Sequence, residues 1–111
     1  MMALSGYVFL FFAENWCANV PFSSAPLGQQ LIYRAAIDTD AMLDSAIVRF
    51  DAVIDGDVPG NAGFVNLAGV GMARALQNMG DMAGAAAAAA AVPDDYEYAV
   101  EYNESASGQN N

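Results

Sequence analysis

Between Asp38 and Asp55 the apolar positions recur at the helical period. Wound at roughly 100° per residue, Met42, Leu43, Ala46, Ile47, Phe50, Val53 and Ile54 share an arc of about 140°. Asp40, Asp44, Asp51 and Asp55 collect on a neighbouring arc. Asp38 and Thr39 suit the N-cap, where a side-chain oxygen satisfies an otherwise free backbone N–H, and Gly56 suits the position past the C-terminus. The pattern predicts a helix over 39–55. Val48, Phe50, Ala52 and Ile54 also alternate with Arg49 and Asp51 as a strand would, but both the apolar and the acidic sets segregate, which favours the helix.

A second helical pattern runs from residue 61. Phe64, Val65, Ala68, Met72, Ala75, Leu76, Met79, Met82 and Ala83 fall within about 120° of one another, with Asn66, Arg74, Gln77, Asn78 and Asp81 opposite. Ala85–Ala91 continue the helical tendency and Pro93 stops it, so one helix is predicted over 61–91. Along one flank Gly69, Ala73, Gly80 and Gly84 form a ridge of small residues. Glycine inside a helix costs roughly 0.5–1 kcal/mol relative to alanine. Close packing of the ridge against another element or subunit offsets that cost; the other reading is a loosely packed, glycine-weakened core helix.

The remaining segments read as strands and turns. Leu4 to Phe12 is almost unbroken apolar sequence rich in aromatics, which predicts a strand over 4–13 buried on both faces. Pro21, Ser23, Ser24, Pro26 and Gly28 punctuate a loop over 15–28, pinned by Trp16 and Phe22. A second strand is expected over 29–37. Tyr96, Tyr98, Val100 and Tyr102 alternate with Glu97, Ala99 and Glu101, predicting a third strand over 96–102. The expected architecture is one small α+β domain over 1–102, a two-layer arrangement of a short sheet with two helices, followed by a polar tail over 103–111. A mostly α fold is the alternative.

Charge changes what such a domain can do. The 111 residues carry 13 acids against three arginines, with no lysine or histidine, for a net charge of −10. Repulsion from phosphate backbones argues against nucleic-acid binding, and an anionic membrane surface is disfavoured likewise. The lysine-free, aspartate-rich composition resembles that of halophilic proteins, whose self-repulsion is screened by salt. Without histidine, neither a Ser–His–Asp nor a Cys–His arrangement can form. The lone Cys17 offers neither an internal disulfide nor a cysteine metal site. The 4–12 run lacks a basic flank and a cleavage site, so it is a poor signal peptide, and it is about half the length a membrane-spanning helix needs.

Few motifs carry chemistry. Gly69-Val70-Gly71 begins like a dinucleotide-binding fingerprint, but Arg74 stands at the third glycine position and the Ala tract replaces the later acid. Asp55, Asp57 and Gly60 match the first, third and sixth positions of a calcium loop, while Pro59 and Asn66 stand at the fifth and twelfth, where a ligand and a bidentate Glu are wanted. Asp55 and Asp57 are therefore weak metal candidates, and an acidic turn capping the next helix accounts for them better. Asn103-Glu104-Ser105 is a lone glycosylation triplet. No cofactor site is expected.

These features favour a non-catalytic structural or accessory subunit of a larger assembly, such as a virion or another multi-copy particle. Its partners would be proteins or copies of itself, met through Gly69, Ala73, Gly80, Gly84, Tyr98 and Tyr102. A small membrane-associated subunit held by residues 1–12 and an acidic divalent-cation binder are the alternatives.

Overall fold

The computed structural model describes residues 2–16, 20–56 and 62–100. The chain order is α1 (Met2–Asn15), β1 (Val20–Pro21), β2 (Ala36–Ile37), α2 (Thr39–Ile54), α3 (Ala62–Asn78) and α4 (Met82–Ala90). The fold is a small α+β domain in which helix predominates, the sheet among the described residues being one antiparallel pair of strands.

Phe50 is where the helices meet. It is fully buried on α2, and its ring lies where the Cβ atoms of Gly6 on α1 and Gly71 on α3 would otherwise stand. A Cβ at Gly6 would come within 2.5 Å of the ring, and one at Gly71 would collide with it as well. Tyr7 packs edge-on against the same ring at 5.1 Å. The same core cluster holds Leu10, Met42, Leu43, Ala46, Ala68 and Ala75.

The segment over 4–13 is helix, not strand. α1 buries Ala3, Gly6, Leu10 and Ala13, a spacing of three and four that belongs to a helix. A strand buried on both faces needs backbone partners at its edges, and the two-residue strands here supply none. A helix satisfies its own N–H and C=O groups. Length was the available signal, because an apolar run beyond about ten residues suits a helix better than a strand.

α2 forms over nearly the predicted span. Asp38 has the extended backbone of an N-cap, and its Oδ1 accepts the Ala41 N–H at 2.8 Å. Asp55 is the C-cap, and a Cβ on the next residue, Gly56, would strike the Ala52 carbonyl oxygen.

The helix predicted over 61–91 is two helices, α3 and α4. Gly80 takes φ +86°, and the Gly80 and Asp81 N–H groups donate to the Gln77 and Leu76 carbonyls at 3.0 and 2.9 Å. That is a Schellman stop, for which glycine's freedom at positive φ is required. Asp81 then caps α4, accepting the Gly84 N–H at 2.9 Å. A stop residue followed at once by a start residue folds the chain back, so that Val92 covers Gly69.

The strand expected over 29–37 pairs only at its end, Val20 with Ile37 and Pro21 with Ala36. An isolated bridge joins Ser24 and Ile32, and Gln29 donates to the Pro26 carbonyl across a turn with Gly28 at φ +76°. Residues 20–37 therefore hold a hairpin ribbon rather than a loop and a strand. As expected, aromatics pin it: Phe22 stacks on Phe9 at 4.4 Å, and Trp16 lies 5.0 Å from Phe12. Over 96–100 the expected third strand is absent and the chain is irregular. Tyr96 instead donates its hydroxyl to the Gly63 carbonyl at 2.7 Å, tying this segment to the start of α3. Cys17 and the 101–111 segment lie outside the described residues.

Candidate functional site

α1 is apolar on every side. Between Met2 and Ala13 it carries no charged residue, and its first acid is Glu14. Its inner face is consumed by the core. Leu4, Val8 and Phe11, spaced four and three apart, occupy a single outward arc of roughly 60°. They are 44%, 48% and 53% exposed, with Met2 and Trp16 also exposed at the helix ends. Isolated exposed apolar residues need no explanation, whereas a helix apolar all round is normally covered. The ribbon adds exposed Leu27, Leu31 and Tyr33.

Polar contacts fix the orientation of α1. Glu14 accepts two hydrogen bonds from Arg74 at 2.6 Å each and a third from Asn78 at 2.7 Å, locking the end of α1 to α3. Near its start, Arg49 of α2 donates to the Ser5 hydroxyl at 3.0 Å and lies 4.1 Å from the Phe9 ring centre. In the middle, Tyr7 donates to the Leu67 carbonyl at 2.8 Å. Burial pushes the Tyr7 hydroxyl above its ordinary value of 10, Tyr96 nearby adds to the rise, and Arg74 opposes it. With three such ties, the outward arc of Leu4, Val8 and Phe11 is presented on a braced helix.

The sequence-derived interface residues lie outside α1. Gly69 is buried beneath Val92 inside the α3–α4 hairpin. Ala73 is half-buried, Gly80 is the exposed stop of α3, and Gly84 leaves room for the Asp81 carboxylate that caps α4. Tyr98 is exposed, and Tyr102 lies outside the described residues. Asp55 is exposed at the end of α2, and Asp57 and Gly60 also lie outside them. Among the described residues, no three His, Cys, Asp or Glu side chains converge as a metal site requires.

Two features escaped the sequence reading. The helices close on the Phe50 ring through Gly6 and Gly71, whereas the predicted ridge is Gly69, Ala73, Gly80 and Gly84, of which Gly69 makes a close approach to Val92. The exposed stripe of α1, Leu4, Val8 and Phe11, is hidden when 4–13 is read as a strand, because the residues between are apolar too and no period stands out. No protein-family model matches the chain, and neither a curated protein nor a solved structure matches it.

Proposed function

We propose that this chain is a non-catalytic structural or accessory subunit of a larger protein assembly, of the kind that builds a virion or another multi-copy particle. The outward face of α1 carries the reading. Leu4, Val8 and Phe11 present a charge-free apolar stripe on a braced helix, in a protein that is otherwise strongly acidic. Covering such a stripe with a second protein surface gains roughly 25 cal/mol per Å² of apolar area. The net charge of −10 opposes association of copies at low salt, and screening at molar salt reduces the Debye length to about 3 Å.

Light scattering at low and molar salt tests the reading. A defined multimer in molar salt that Val8→Asp with Phe11→Asp converts to monomer is the expected result. Monomer in both conditions, or a multimer indifferent to these substitutions, refutes the multi-copy assembly.

A second reading, a membrane-associated accessory subunit, draws on the same stripe lying flat in an interface. Among the described residues no helix is long and apolar enough to cross a membrane. Co-flotation with neutral-lipid vesicles, lost in the same double variant, would favour this reading over the first.

A further inference from the structure

Two of the three arginines in this acidic chain, Arg34 and Arg49, line one groove of about 470 Å³ between the ribbon, α1 and α2. The third, Arg74, is engaged by Glu14 on the other side of α1. Among the described residues no carboxylate lines the groove. Ser23, Ser24 and Ser45 add hydroxyls to its wall.

The arrangement follows from how the elements are wound. On α2, Ser45 and Arg49 lie one turn apart, and Arg49 stands at least roughly 120° from Asp40, Asp44, Asp51 and Asp55. The acidic row is thus turned away from the groove. Arg49 is held in place by its donation to Ser5, by a second donation to the Ser45 carbonyl at 2.9 Å, and by the Phe9 ring beneath it. Those two bonds use its Nε and Nη1 atoms and leave Nη2 for a guest. Arg34 is exposed and, among the described residues, has no carboxylate within ion-pair distance. Phe22 and Ile37 give the same groove an apolar wall.

We propose that this groove binds a small oxyanion, a phosphate or carboxylate group, on a molecule whose apolar part rests against Phe22 and Ile37. Guanidinium groups bind such anions with paired, charge-assisted hydrogen bonds, and serine hydroxyls complete the shell. A volume of this size is ordinary for a small-ligand site. The overall negative charge slows the approach of an anion. At contact, within a Debye length of about 8–10 Å, the two local cations govern the field.

Calorimetric titration of the full chain at an ionic strength of about 0.15 M tests the site, with phenyl phosphate, benzoate and inorganic phosphate as probes. Binding at one site per chain is expected, tighter for the aromatic probes than for inorganic phosphate. A preference for phenyl phosphate or for benzoate identifies which oxyanion the groove takes. Arg34→Gln, on the exposed ribbon, weakens binding about tenfold or more, and Arg74→Gln leaves it unchanged. Arg49→Gln also weakens it, but Arg49 braces Phe9, so Arg34→Gln decides. The proposal is overturned if no probe binds at millimolar concentration, if Arg34→Gln binds like the parent chain, or if Arg74→Gln loses binding equally.

Discussion

α1 and α2 meet where the Phe50 ring of α2 enters the space over Gly6, yet their outer faces are opposite in character. α2 turns Asp40, Asp44, Asp51 and Asp55 to solvent, all exposed. α1 turns out Leu4, Val8 and Phe11. Their inner faces follow one logic: small residues admit the ring, and Leu10, Met42 and Ala46 belong to the same core cluster. Folding is served by those inner faces. The acidic outer row suits solvent and the apolar one does not, and the proposed association rests on that contrast.

The largest expected effect is on what the two helices share. Phe50→Ala should cost about 3–5 kcal/mol in chemical denaturation, because it empties the space between Gly6 and Gly71. Next, Gly6→Leu should cost about 1–3 kcal/mol by driving a side chain into that ring. A neutral result there would mean that α1 does not approach α2 closely, and the comparison would fail.

Tyr7→Phe should cost about 1 kcal/mol through the hydrogen bond to the Leu67 carbonyl. The raised Tyr7 value also sets a pH dependence. The folded state keeps this proton to higher pH than the unfolded state does. Stability is therefore unaffected below pH 10 and falls as pH climbs above it. Tyr96, raised by burial and then by Tyr98, acts in the same direction. Denaturation midpoints followed upward from pH 9 should show the fall, shallower in Tyr7→Phe.

The smallest effect on stability separates the outer faces most clearly. Val8→Asp on α1 and Asp44→Ala on α2 should each change folding by no more than about 0.5 kcal/mol. In light scattering at molar salt only the α1 substitution should lower the mass. Equal behaviour of the two would remove the distinction between the faces.

α2 was legible because two independent sets, apolar and acidic, agreed on one period, and Asp38 marked its start. α1 was not, since a helix apolar on all sides leaves no polar positions against which a period can be read. The break at Gly80-Asp81 was written as a stop residue followed by a cap residue, but the alanines after it masked the signal with their high helix propensity. The alternation over 96–102 was real in pattern, yet a strand exists only beside another strand. The groove between Arg34 and Arg49 joins residues from the ribbon and α2, and no local pattern announces such a meeting.

The polyalanine helix has a consequence for the tempo of the molecule. α4 buries no residue fully, and it is held by the Asp81 cap, by Ala88 against the core and by Val92 over Gly69. Its opening should therefore leave the Phe50 core intact and require far less free energy than global unfolding. In native-state hydrogen exchange, the amides of Ala85–Ala90 should trade their protons early and together, well before those of Met42 to Phe50. The molecule would then breathe in two steps, with α3 intermittently bared along its Gly69 flank while the rest of the fold stays closed.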